Sequence, residues 1–136
     1  SCLTFNILIM KTIKITYWIS SAIVALMMTF SAYAYLTVPA IKDNFTQIGF
    51  PSFFRVELAI AKMLGAVLLL LPVATRVKEW VYAGFGITFI SAFIAHSAAG
   101  DPVSVKLGPI IFLALLLVSY FSYHRMLAGK KLPATQ

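Results

Sequence analysis

The sequence predicts an all-α integral membrane protein, a four-helix bundle, and three observations carry that prediction. The first is composition: 61% of the 136 residues are hydrophobic and 11% are charged. A soluble domain carries roughly 45–50% apolar and about 25% charged residues, so this chain has too few polar groups to cover a water-facing surface. The second is the recurrence of uncharged runs near twenty residues between charged or Pro/Gly breaks, the length a helix needs to cross hydrocarbon. The third is that those runs show no alternation, which excludes a barrel; without water, a spanning segment must then be a helix. The length allows one domain.

Residues 1–9 precede Met10 and read as an upstream extension; Met10 with Lys11 and Lys14 has the form of a start with a short positive flank. The first predicted helix covers about 15–36, with Tyr17 and Trp18 at one end and Tyr33 and Tyr35 at the other, in the manner of interfacial aromatic belts. A rival reading is a secretory signal with Ala32-Tyr33-Ala34 as its cleavage site; against it, the chain beyond Ala34 is more membrane protein, which needs no cleaved signal. The loop from Thr37 to Ser52 carries Ile41, Phe45, Ile48 and Phe50 beside Lys42 and Asp43, and fits a short amphipathic piece lying in the interface. The second helix covers about 53–71 and stops at Pro72. Arg76, Lys78 and Glu79 form a charged turn before the third helix at about 80–99, which ends at Gly100-Asp101-Pro102. The fourth covers about 107–123, with Pro109 near its start, where a missing N–H costs least. Residues 10–125 thus form the membrane domain and 126–136 a tail.

Four spans put both termini on one side. That side carries seven flanking cations (Lys11, Lys14, Arg76, Lys78, Arg125, Lys130 and Lys131) against three opposite (Lys42, Arg55 and Lys106), so the positive-inside rule predicts cytoplasmic termini. The net charge of +7 is spread singly or in pairs between apolar runs. This is how membrane-flanking charge is placed, and it argues against a nucleic-acid partner.

The second helix is the unusual one, since its uncharged part, Met63 to Ala74, is too short to cross alone. If it spans, it carries Lys62 and Glu57 into the bilayer, where ionisable groups mark functional sites by default. At 1.5 Å per residue, Glu57 lies about 6 Å inside the outer boundary and His96 about 4–5 Å, with Arg55 and Asp101 just above them and Lys62 about 13–14 Å deep. These five residues form the candidate polar pocket, opening to the outer face. A histidine and a carboxylate at one depth suit proton transfer, and a nearby lysine suits an anion or a quinone oxygen. The plainer alternative makes Arg55 and Glu57 interfacial, His96 a helix-end hydrogen bonder and Asp101 a turn cap. Glu57 and Lys62 are five apart and point about 140° from one another. Either the partner of Lys62 comes from another helix, or the amine snorkels or is neutral. The candidate acceptors are hydroxyls and carbonyls of helices one and three, or a bound anionic or quinone-like ligand. Lys62 is the strongest candidate.

Cys2 is the one cysteine, so no internal disulfide, CxxC pair or cysteine zinc site can form. The two histidines, His96 and His124, fall on opposite sides in this topology and cannot jointly hold a metal or haem. No Gly-rich phosphate loop, HExxH or GxSxG is present. No metal site and no cofactor bound by this chain alone are therefore expected.

The runs Ser31-Ala-Tyr-Ala-Tyr, Phe54-Arg-Val-Glu-Leu-Ala-Ile-Ala-Lys-Met-Leu-Gly-Ala, Leu-Leu-Pro72 and Ile-Ala-His96-Ser-Ala-Ala-Gly-Asp-Pro resemble the DoxX-like family of small bacterial membrane proteins, over nearly everything from Met10 to Arg125. The resemblance implies four membrane helices in one domain and a bacterial inner-membrane location. It also implies an attachment to quinone- or sulfur-linked redox chemistry, and it supplies no catalytic residues. Two functions are expected on these grounds. One is an accessory membrane subunit of an oxidoreductase, with a quinone in the pocket and a redox partner protein. The other is a small transporter, channel or membrane-organising protein without catalysis, working as a homo-oligomer in the lipid bilayer.

Overall fold

In the computed structural model of the chain, residues 2–131 are described, with side chains described from 2 to 129. Ser1, residues 132–136 of the expected tail and the side chains of Lys130 and Lys131 lie outside the described residues. The described chain is all-α and contains five helices: α1 (Cys2–Thr37), α2 (Pro39–Ile48), α3 (Ser52–Leu70), α4 (Thr75–Ala98) and α5 (Val103–Lys131). Cys2, at the start of α1, is a free, exposed thiol.

Five helices rather than four is a difference from the sequence prediction, and the added one is α2. Its Ile41, Phe45 and Ile48 fall on one side of the helix, with Lys42, Asp43, Asn44 and Gln47 distributed elsewhere. None of its residues is buried. Pro39 opens it, where its fixed φ is already helical and its missing N–H is no loss. Gly49 closes it at φ 98°, with Gly49 N–H bonding to the Thr46 carbonyl and Phe50 N–H to the Phe45 carbonyl. This is a Schellman ending, sealed by the rings of Phe45 and Phe50 at 6.0 Å.

The long helices also run further than predicted. Hydropathy marks only the part that lipid requires to be apolar, whereas helical hydrogen bonding continues until a proline or glycine stops it. Residues 2–14 therefore continue α1. Arg76, Lys78 and Glu79 belong to the opening turns of α4 rather than to a charged turn. Pro109, predicted near a helix start, lies inside α5, where it has no N–H to give the Val105 carbonyl four residues back. α3 ends before Pro72: Leu71, held extended at φ −86°, ψ 151° by the proline after it, closes the helix.

Three helices, Cys2–Thr37, Thr75–Ala98 and Val103–Gly129, are long and apolar enough to cross a membrane. α3 has 19 residues, about 28 Å at 1.5 Å each, which is close to the hydrocarbon thickness. Its three charged residues, Arg55, Glu57 and Lys62, set it apart in composition.

The chain divides into two compact units, one of Ser1–Ala22 with Gly86–Gln136 and one of Ile23–Phe85, the division falling within α1 and α4. In the first, Tyr17, Phe89, Leu116 and Tyr123 are buried. The fully buried hydroxyls of Ser21 and Ser119 share a 2.6 Å hydrogen bond between α1 and α5, and Phe89 of α4 stacks on Phe112 of α5 at 6.1 Å. In the second unit, Val24, Ala25, Met28 and Ala32 of α1 are buried at helical spacing, as are Ala59, Ala66 and Leu69 of α3. Gly65 of α3 admits the ring of Phe85 so closely that a Cβ there would stand 2.6 Å from it.

Candidate functional site

The buried residues of α3 are Ala59, Lys62, Gly65, Ala66 and Leu69. Steps of three and four put them on one face, so Lys62 occupies a core position. It is 7% exposed. Its ammonium donates a 2.8 Å hydrogen bond to the Ser31 hydroxyl of α1 and sits over the Tyr35 ring, 3.6 Å from the centroid. Ser31 and Tyr35 are one helical turn apart and present to the same side of α1. Both partners are neutral. A cation–π contact of this kind contributes up to about 2 kcal/mol when desolvated, and the hydroxyl satisfies one of the three ammonium donors.

Arg55, two turns before Lys62 on the same face of α3, reaches the same turn of α1 by another route. Its guanidinium donates to the Tyr35 backbone carbonyl. In a continuing helix that carbonyl would accept from residue 39, but residue 39 is a proline and has no N–H. The Arg55 Nε is buried with no hydrogen-bond partner. Lys78 acts in the same way at the end of α3. It is buried, and its ammonium donates to the Leu69 carbonyl, whose helical partner, the Val73 N–H, turns instead to Leu71. Cations at these two carbonyl ends also meet the negative pole of the helix dipole. Arg55 and Lys78 thus complete helix ends, whereas Lys62 is held by side chains alone.

Glu57 is exposed. It falls on the outward face of α3 beside Phe53, Val56, Ile60 and Leu64, so α3 does not bring it to Lys62. His96 and Asp101 are brought together in the first unit. The His96 Nδ1 and the Asp101 carboxylate are 2.7 Å apart, both about two-fifths exposed. They close α4 with the same geometry that closes α2: Gly100 at φ 74°, its N–H on the Ser97 carbonyl, and Asp101 N–H on the His96 carbonyl. Where α2 seals this motif with two phenylalanine rings, α4 seals it with a histidine and a carboxylate. Of the five sequence-predicted residues, Arg55, Glu57 and Lys62 belong to the second unit and His96 and Asp101 to the first. Among the described residues, no three His, Cys, Asp or Glu side chains converge to hold a metal.

Sequence reasoning named hydroxyls of the first helix as candidate acceptors for Lys62 without singling out Ser31, and it missed Tyr35, which it counted with Tyr33 in an aromatic belt. Tyr33 is exposed, while Tyr35 turns inward. The signal that could have found them was the spacing: Ser31, Tyr35 and Pro39 succeed one another at intervals of four.

Comparison with curated proteins finds no match, and comparison with solved structures finds none. The family model of the DoxX-like family matches residues 19–119. That stretch contains Ser31, Tyr35, Arg55, Lys62, His96 and Asp101, and all but the outer ends of α1 and α5. The chain is a membrane protein with several candidate spans, and it belongs to the DoxX-like family.

Proposed function

We propose that this chain is an accessory subunit of a quinone- or sulfur-linked redox system in the bacterial inner membrane, with α3 as a fourth span and both termini cytoplasmic. Lys62 is the residue through which it holds its small-molecule partner. One observation supports this above the others: a lysine buried in an apolar helix has a hydroxyl and an aromatic face as its partners and, among the described residues, no acid. A cation in that setting is costly unless something completes it. A carbonyl oxygen or a small anion matches the ammonium donor that remains after Ser31 and Tyr35. A quinone would supply reversible proton-coupled electron exchange when bound. Lys62 would hold its oxygen, and Ser31 and Tyr35 would hold the Lys62 ammonium in place. His96 and Asp101 form a separate hydrogen-bonded pair at the end of α4.

The test is purification in mild detergent, then solvent extraction and chromatography of retained quinone. Wild-type protein should carry it, and Lys62→Met should retain at least about tenfold less, corresponding to about 1.4 kcal/mol of lost affinity. Glu57→Gln, on the outward face, should retain it. Quinone absent from the wild type as well would refute the redox assignment.

A second function, a membrane-organising protein without catalysis, is favoured by a specific observation: both partners of Lys62 come from α1, so the ammonium also ties α3 to α1. Under that function Lys62→Met would separate the helices and unfold the protein.

A further inference from the structure

The first unit contains an open groove of about 400 Å³ between the start of α1 and the far part of α5, lined by Asn6, Ile7, Met10, Lys11, Lys14 and Met126. The five α1 residues recur at spacings that keep them on one side of the helix. That side continues the stripe on which Tyr17 and Ser21 are buried against α5. Beyond Tyr17 the stripe is no longer covered: Ile7 is 49% and Met10 37% exposed. Met10 reaches across to α5, where it lies against Gly129, and forms the floor between the two helices.

The charge around this groove has one sign. Lys11 and Lys14 line it and Arg125 adjoins Met126, while the chain has no Asp or Glu before Asp43 or after Asp101. Its depth is marked as well. Tyr17 packs edge-on against Trp18 at 5.3 Å and lies 5.8 Å from Tyr123, and Trp18 is half exposed. Such rings collect at the headgroup boundary. Lys14 stands four residues beyond Trp18, about 6 Å, and Lys11 about 10 Å. The groove therefore begins at headgroup level, with Lys14 and Lys11 on its bilayer side and Met10 and Ile7 farther out along α1.

From this geometry we infer that the groove is a binding site for one anionic phospholipid of the adjoining leaflet. The two lysines hold its phosphate at the level of the leaflet's headgroups, and the half-exposed Trp18, one turn nearer the hydrocarbon than Lys14, meets the top of an acyl chain. Basic pockets between membrane helices are known to take anionic headgroups. The place of the two lysines, one and two turns beyond Trp18, distinguishes this groove from a site for a free anion in water.

Native mass spectrometry of the full chain, released from micelles after titration with phosphatidylglycerol or phosphatidylcholine, tests this. Wild-type protein should retain one phosphatidylglycerol in preference to phosphatidylcholine. Lys11→Gln and Lys14→Gln should each weaken that retention about fivefold and together about thirtyfold, as about 1 kcal/mol per lysine near an anionic surface implies. Lys42→Gln with Lys106→Gln should leave it within about twofold, since neither residue lines the groove. Equal retention of the two lipids would overturn the site. An equal loss in the Lys42/Lys106 pair would reduce the effect to diffuse surface charge and overturn it too. Displacement of the lipid by millimolar inorganic phosphate would show a free-anion site and overturn the assignment to a lipid.

Discussion

Arg55 stands in for a hydrogen that Pro39 lacks. Its guanidinium donates to the Tyr35 carbonyl, the acceptor that an ordinary residue 39 would reach through its own N–H. Restoring that N–H should make the arginine dispensable at this end of α1. We expect Arg55→Met to cost about 1.5–3 kcal/mol in the wild-type background, the range for hydrogen bonds to charged groups, and clearly less in a Pro39→Ala background. A double-mutant cycle on detergent unfolding measures the coupling; equal costs in both backgrounds would show that Arg55 acts elsewhere.

Lys62 differs because it caps nothing. Lys62→Met keeps length and shape while removing a buried cation, and the Ser31 hydroxyl left behind can turn to the carbonyl four residues back, as Thr29 does toward Ala25. We therefore expect thermal stability within about 1 kcal/mol of wild type, together with loss of the bound small molecule. A fall of several kcal/mol would move Lys62 from binding to scaffolding.

Gly65 and Phe85 set how closely α3 and α4 approach. A methyl at residue 65 would stand 2.6–2.7 Å from two carbons of the Phe85 ring, which is only 5% exposed and cannot swing away. Gly65→Ala should cost about 1–3 kcal/mol through overpacking. Adding Phe85→Leu should recover part of that loss, which thermal unfolding of the single and double variants would reveal.

The Ser21–Ser119 bond is a modest clasp between α1 and α5. Hydrogen bonds between membrane helices average about 0.6 kcal/mol by double-mutant cycles and reach about 1.7. Ser21→Ala, Ser119→Ala and the pair should give a coupling energy in that range, toward its upper end because both hydroxyls are fully buried. A coupling near zero would mean that each hydroxyl bonds a backbone carbonyl equally well.

The helical class, the placement of the breaks and the amphipathic piece after α1 were legible because each rests on local chemistry: hydropathy, Pro72, Gly49 and Gly100-Asp101-Pro102. The angle between Glu57 and Lys62 was legible for the same reason, as a property of one helix, and Glu57 does lie away from Lys62. Ser31 and Tyr35 were not, because a serine and a tyrosine in an apolar run look like any others until a second helix is packed against them. Lys78 misled for a related cause. In sequence it is a loop charge, and only the fold turns it back onto the Leu69 carbonyl. Pro109 misled because α5 starts at Val103, ahead of the apolar run that marks its membrane portion.

The exposed thiol at the start of α1 gives the molecule a built-in address tag. Cys2 is the one sulfhydryl in the chain, so a membrane-impermeant maleimide can report on that end of α1 without any engineered reporter. With cytoplasmic termini, intact spheroplasts should remain unlabelled until they are permeabilised. Labelling before permeabilisation would turn the whole chain over in the membrane, carrying the Lys11–Lys14 groove to the opposite leaflet and the Lys62 cluster to the opposite side.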